Sequence, residues 1–305
     1  MSSTTSTHDF GPPADGGQTC YRHSGRETNV SCSRCGKPIC PDCMTPSPVG
    51  MRCPDCAGDR QKVVTARQIT NPSLVDSAPV TLALLIVNVI AFVGEVATGA
   101  GFGGFSNQLS GTFLTEGAFS GPLVAAGEWW RIVSSGFLHL GLFHIGMNML
   151  LLYMLGQLLE PAIGRVRFLA IYGCSLVAGS LGSLLIEPDV AAVGASGAVF
   201  GLMGAALVAQ YARGLNPWES GIGGLIAINL VLTFALPGIA KGGHIGGLIG
   251  GLVVGFLLID LDERRRIFGR SIAPAAVIGV GIAVGLFYVT VLIAENKFPA
   301  FVGLA

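Results

Sequence analysis

Seven apolar runs, roughly residues 80–98, 132–158, 166–186, 191–210, 221–238, 243–260 and 271–294, constrain this chain more than any other feature. Each approaches or exceeds the ~20 residues that a helix needs to cross the hydrocarbon core of a bilayer. In lipid every backbone N–H and C=O must find its partner within the structure, so the runs are predicted to be helices of an all-α polytopic membrane protein. The 45 glycines among 305 residues would weaken such helices in water, yet small residues let helices pack closely in lipid. The first 79 residues contain no apolar core, so the first run itself is expected to direct insertion, without a separate signal peptide. Only 12% of the residues are charged, and their uneven placement divides the chain into a polar head and a membrane body.

Lysine and arginine placement predicts the orientation. Arg60, Lys62 and Arg67 precede run 1, Arg165 and Arg167 separate runs 2 and 3, Arg213 follows run 4, and Arg264, Arg265, Arg266 and Arg270 separate runs 6 and 7. Arg131, Lys241 and Lys297 fall on the other side. The positive-inside rule then puts the N-terminus in the cytoplasm and the C-terminus outside, in a multi-pass protein of the cell membrane.

On that topology three polar clusters fall in the outer half of the bilayer. Ser196 lies in Gly194-Ala195-Ser196-Gly197, roughly 10 Å below the outer turn if the helical rise is counted from Asp189. The stretch begins like the G-x-S-x-G nucleophile elbow, but Ala198 stands at its fifth position and a turn, not a strand, precedes it. Small residues of this kind also serve plain helix packing. His244 opens run 6, beside a face formed by Gly243, Gly247, Gly251 and Gly255 on which another backbone can lie. Run 2 carries His144 and Asn148, four apart and so on one helix face, with His139 about 140° away from His144. Ionisable groups inside a membrane are costly and generally functional. A serine hydroxyl and an imidazole at matching depth suggest a nucleophile and its base. Donors from His144, Asn148 and the Ser196 N–H could then stabilise an oxyanion. Asn148 could equally do no more than bond a neighbouring helix.

Trp130-Arg131, His144-x-x-x-Asn148, Gly194-Ala195-Ser196-Gly197 and Gly243-His244-x-x-Gly247-x-x-x-Gly251, in this order from about Pro79 to Asp260, together resemble the rhomboid intramembrane serine proteases. The resemblance implies a six-helix core over 79–260, with Ser196 as nucleophile and His244 as general base in a dyad that needs no cofactor. No acidic residue is placed by the sequence to orient His244. By the same resemblance Gly194 and Gly197 support the active site, Phe200 packs against the catalytic histidine, Glu160 is a structural acid, and residues from about 99 to 131 form the family's first loop. Trp129 and Trp130 suit an interfacial position on their own chemistry. The seventh helix, within 261–305 after a basic loop, is an addition to the core. Implied substrates are single-span membrane proteins, cut within their transmembrane segment near the outer face.

The head carries Cys20-x-x-His23, Cys32-x-x-Cys35, Cys40-x-x-Cys43 and Cys53-x-x-Cys56, enough for two tetrahedral zinc sites. A cytoplasmic location disfavours disulfides. Both ligand sets are closed, so the predicted zinc ions are structural, and a module of this size draws much of its stability from them. The arrangement resembles B-box-type zinc fingers. That resemblance implies cross-bracing, with Cys20, His23, Cys40 and Cys43 on one ion and Cys32, Cys35, Cys53 and Cys56 on the other, although sequential pairing also satisfies both. No aromatic-basic stripe supports nucleic-acid binding, and a cytoplasmic protein partner is the default expectation for the 20–57 module.

Residues 1–19 read as a disordered tail and 58–78 as a polar linker. Cys174 reads as a packing residue, and Asn88 and Asn229 as interhelical hydrogen-bonders. Two other function classes fit less well. A small-solute transporter needs ionisable groups at mid-membrane and a polar path to both faces, and a catalytically silent rhomboid-like binder would lack the serine or histidine that this chain keeps.

Overall fold

The computed structural model describes residues 18–47, 50–57, 77–101, 110–260 and 273–304, and the chain divides into two compact units, Met1–Asn71 and Pro72–Ala305. The tail expected over 1–19, the linker over 58–78 and the basic loop after residue 260 fall almost wholly outside the described residues.

In the first unit, β1 (Gln18–Cys20) pairs antiparallel with β2 (His23–Thr28), and β3 (Thr45–Ser47) with β4 (Gly50–Arg52). A single helical turn, Pro54–Ala57, follows. Its buried centre consists of Cys20, Cys32, Cys40, Cys43, Cys53 and Ile39. One aliphatic side chain among cysteines is too little apolar surface to hold a fold of this size, which is the condition in which bound metal supplies stability.

Among the described residues the second unit has seven apolar helices of 14 residues or more: α1 (Pro79–Ala97), α2 (Gly141–Ile163), α3 (Arg165–Ile186), α4 (Ser196–Ala212), α5 (Ile222–Ala235), α6 (Lys241–Gly255) and α7 (Ala273–Lys297). A π-helical turn, Phe256–Asp260, prolongs α6. Five of these helices are long and apolar enough to span a bilayer. This unit is the all-α, polytopic membrane body of the protein.

Two apolar runs are only partly helical. Run 2 was expected to begin at 132, but α2 starts at Gly141, after short helical turns at Arg131–Ser134 and Ser135–Phe137. His139 therefore lies ahead of the helix, and its angular offset from His144 does not apply. Run 4 was expected from 191, but the chain is non-helical up to Ala195 and α4 begins at Ser196 itself, so a depth counted at the helical rise fails too. Apolar character set both expected boundaries, while turn geometry at Gly141 (φ 83°) and Gly194 (φ 127°) sets the real ones. With 17 residues in α4 and 14 in α5, these helices extend about 25 and 21 Å.

Glycines bring α6 into backbone contact with two partners. A Cβ at Gly247 or Gly251 would strike the carbonyl of Gly197 or Gly201 on α4, and one at Gly246 would strike the Ala178 carbonyl on α3. Of the face read from the sequence, Gly247, Gly251 and Gly255 thus pack on α4 while Gly243 meets Ser183 of α3, and a second face, offset by one residue, packs on α3. Glu160 at the end of α2 accepts the N–H groups of Val80 and Thr81 and the Thr81 hydroxyl, which caps α1. Helix α7 docks on α3, where the Cys174 thiol donates to the Gly279 carbonyl and Lys297 Nζ to that of Leu184.

Between α1 and α2 the described part of the first loop is pinned rather than free. Buried Arg131 donates to Glu128 and to the carbonyls of Thr115 and Ala118, while exposed Trp130 donates to the Glu116 carbonyl. Phe119 and Ala192 exchange two backbone hydrogen bonds, and Gly194 N–H donates to the Ser135 carbonyl. The chain leading into Ser196 is therefore tied to this loop.

Candidate active site and metal clusters

Ser196 is the first residue of α4. First-turn N–H groups of a helix have no intrahelical acceptor and carry the positive end of its dipole. The Ser196 side chain thus sits where backbone donors stand ready for a developing negative charge. Gly194 reaches this corner with φ 127°, a conformation L side chains rarely adopt. A Cβ on Gly194 would lie 2.8 Å from His144 Nε2 and 3.5 Å from Ser196 Oγ. The imidazole and the hydroxyl therefore flank one point at the glycine, and any side chain would separate them.

The His144 ring is oriented from behind. Leu140 N–H donates to its Nδ1 at 3.2 Å. A backbone amide can only donate, so Nδ1 is the acceptor and the hydrogen of the neutral ring sits on Nε2, on the Ser196 side. The turn carrying Leu140 is itself held by buried Glu95 on α1, whose carboxylate accepts the His139 N–H at 3.1 Å. The His139 ring, wholly buried, stands edge-on to His144 with centroids 5.2 Å apart. Asn148 uses one amide hydrogen on the His144 carbonyl, 3.0 Å away in its own helix, which leaves its second for another acceptor. Asn229 donates within its own helix, to Leu225, rather than across to a neighbour as expected, whereas Asn88 donates to Leu84 in its own helix and also meets the Tyr172 hydroxyl of α3.

His244 lies in the first turn of α6, half-buried, with the Phe200 ring stacked on it at 4.2 Å and 19°. Gly197, one residue after the serine, lets α6 approach: a Cβ there would come within 3.3 Å of the Gly243 carbonyl. The N-terminal end of α6 is fastened by Glu187, which accepts the Gly242 N–H at 3.2 Å. Among the described residues no hydrogen bond joins Ser196 to His244. A cavity of about 40 Å³ borders Ser196, with Ser135, Ser180, Ser183 and Gly243 in its wall, room enough for water, which needs about 10–15 Å³.

Glu95, Glu187 and Thr233 escaped the sequence reading. Glu95 carried no spacing signal, but Asn229 and Thr233 stand four apart on an otherwise apolar helix and so share a face. The Thr233 hydroxyl lies 2.7 Å from His244 Nδ1.

In the head the ligand atoms gather into two groups, Cys20, His23, Cys40 and Cys43, and Cys32, Cys35, Cys53 and Cys56, each within 4.8 Å of one another. His23 presents Nδ1, with the sulfurs of Cys20, Cys40 and Cys43 at 3.8, 3.3 and 3.5 Å, and Cys35 and Cys53 sulfurs are 3.7 Å apart. Tetrahedral zinc with Zn–S of about 2.3 Å requires edges of about 3.8 Å between sulfurs and about 3.5 Å to nitrogen, so the donor set fits. The Cys53 N–H donates to Cys32 Sγ and holds that thiol down at about 6, toward the thiolate a metal takes.

Residues 126–261 match the Rhomboid domain family. The chain is similar to Rhomboid protease GluP of Bacillus subtilis, 38% identical over 180 residues, which cover 58% of this chain and 35% of that protein. It is also similar to YdcA of Bacillus subtilis, 36% identical over 146 residues, 47% of this chain and 73% of the relative. Inactive RHOMBOID-like protein 8 of Arabidopsis thaliana is 31% identical over 187 residues, 55% of this chain and 53% of the relative. With nearly three quarters of one rhomboid relative matched at this identity, and a domain match that contains Ser196, His244, His144 and Asn148, the chain belongs to the rhomboid family.

Proposed function

We propose that this chain is an intramembrane serine endopeptidase that cuts transmembrane segments of single-span membrane proteins near the outer face. The observation that carries the reading is the convergence of Ser196 Oγ and His144 Nε2 on one point at Gly194, with His244 on the helix packed against the serine's own. A nucleophile and an oxyanion donor flanking the place where a carbonyl can sit is the geometry that acyl transfer requires.

Ser196 Oγ attacks the peptide carbonyl as its proton passes to His244 Nε2. The carbonyl oxygen gains negative charge, which His144 Nε2–H, the Asn148 amide and the Ser196 N–H stabilise. His244 then gives its proton to the leaving amine, and an acyl-enzyme on Ser196 remains. Water from the cavity at Ser135, Ser180 and Ser183 is suited to attack that ester, with His244 taking its proton and returning it to Ser196 Oγ as the ester C–O bond breaks, which frees the acid product and the enzyme. These steps need only the chain's own groups and water.

In the same reading the basic loops lie in the cytoplasm together with the head, and the C-terminus lies outside. The head holds two structural zinc ions in closed ligand sets and serves as a docking module for a cytoplasmic protein. One relative is named inactive, so a non-cleaving binder of membrane segments is the competing reading; the presence of both Ser196 and His244 supports cleavage. Incubating the purified, detergent-solubilised protein with a panel of single-span substrates tests the proposal. Cleavage that Ser196→Ala abolishes supports it, and binding without cleavage supports the alternative.

A further inference from the structure

Thr233 stands behind His244 with its proton positions fixed by what surrounds it. The side chain projects from α5, 1% exposed, and its Oγ1 lies 2.7 Å from two atoms, the Asn229 carbonyl oxygen and His244 Nδ1. A hydroxyl has one hydrogen to give. The Asn229 carbonyl can only accept, so that hydrogen goes to it, and the Thr233 oxygen turns a lone pair toward the imidazole. Nδ1 must then carry the ring hydrogen. The Asn229 carbonyl also accepts the helical Thr233 N–H, so the reverse arrangement is disfavoured not by an unmet acceptor but by the repulsion of two oxygen lone pairs held 2.7 Å apart with no hydrogen between them.

We infer that Thr233 is a positioning residue for the general base: it holds neutral His244 as the Nδ1–H tautomer, so that Nε2 presents a bare lone pair to Ser196. The inference rests on the proteolytic reading for its use, but not for its geometry. His144 is set the opposite way, because Leu140 N–H donates to its Nδ1 and leaves the hydrogen on Nε2. Two imidazoles near one serine are thus given opposite tautomers by what each Nδ1 meets, so that one can donate and the other accept. When Ser196 loses its proton, the O–H bond breaks and an N–H bond forms at His244 Nε2. The Nδ1–H that already donates to Thr233 then helps to disperse the charge of the imidazolium. Thr233 thus takes, with a neutral oxygen, the place that a carboxylate takes behind the histidine of a serine–histidine–aspartate triad. Phe200 fixes the plane of the ring and Thr233 fixes its rotation within that plane.

The experiment is nitrogen NMR of histidine-labelled protein in detergent micelles, with the His244 signals identified by their loss in His244→Ala, alongside turnover measurements on a single-span substrate. In wild type the neutral His244 ring should show a protonated Nδ1 and a bare Nε2. Thr233→Val, which removes the hydroxyl and little volume, should mix the two tautomers and lower kcat about 10-fold, the worth of one hydrogen bond, with KM unchanged. Thr233→Ser should restore both readouts. A wild-type His244 protonated at Nε2, or a Thr233→Val protein with the wild-type tautomer and kcat, overturns the inference. If the tautomer behaves as described while no substrate is cut by any variant, the positioning role stands and the proteolytic reading fails.

Discussion

The Phe200 ring lies almost parallel to the His244 imidazole, with centroids 4.2 Å apart. Phe200 follows Ser196 by four residues on α4, so one helix carries both the proposed nucleophile and the flat surface that steadies the proposed base. Phe200→Leu keeps a buried apolar side chain but no plane to stack on. It should lower kcat about 5-fold, as the loss of ~1 kcal/mol of aromatic stacking implies, with a stability loss under about 1.5 kcal/mol. Turnover and thermal melting, measured together, check this.

Gly194→Ala meets two obstacles at once, the φ of 127° and the His144 ring 2.8 Å from the new methyl. Strain of order 1–3 kcal/mol falls on the residue that positions Ser196, and His144 is pushed from its place. Cleavage should drop at least 100-fold in a protein that still inserts. Gly224→Ala on α5, where a methyl would touch nothing within 4 Å, should leave cleavage unchanged.

Asn148 separates an oxyanion donor from a helix tie. Its second amide hydrogen is the one available to substrate, since the first is used on the His144 carbonyl. Asn148→Ala and His144→Ala should each lower kcat by about 10²-fold with little change in melting. Asn88→Ala, which loses a bond inside α1 and the contact with Tyr172 on α3, should show a stability effect of roughly 0.6–2 kcal/mol and no separate rate effect. Equal rate losses at Asn88 and Asn148 would remove the reason to place Asn148 in an oxyanion hole.

The head predicts a zinc count. The purified protein should carry two zinc ions, and chelation should unfold the head while the membrane helices persist. Doubling substitutions within one ligand group, Cys20→Ser with Cys40→Ser, should release one ion, and across groups, Cys20→Ser with Cys32→Ser, should release both. Sequential pairing predicts the reverse. Metal analysis of the two double variants decides between them. Removal of Met1–Asn71 should leave the rate of cleavage in detergent nearly intact, because no head residue takes part in the proposed chemistry.

Apolar length was enough to reveal the helices, and ligand spacing to mark the cysteine and histidine donors of the head. Pattern alone could not place the ends of α2 and α4, because Ala191 to Ala195 are as apolar as a helix yet run as a turn fixed by Gly194 and by bonds to Ser135 and Phe119. The residues that set proton positions were equally hidden. Leu140 acts through its backbone, Glu95 through a contact 44 residues distant, and Thr233 through a helix eleven residues away. Such contacts are made by packing, and sequence separation carries no trace of them. The sequence offered no acid to orient His244, and a threonine is the neighbour that the fold supplies.

The most direct test of the central claim is the cleavage rate of a single-span substrate by wild-type, Ser196→Ala and His244→Ala protein, each verified by melting to be folded in detergent. The account predicts cleavage within the substrate's transmembrane segment by wild type and none above background by either variant. Cleavage by Ser196→Ala at the wild-type rate would contradict it.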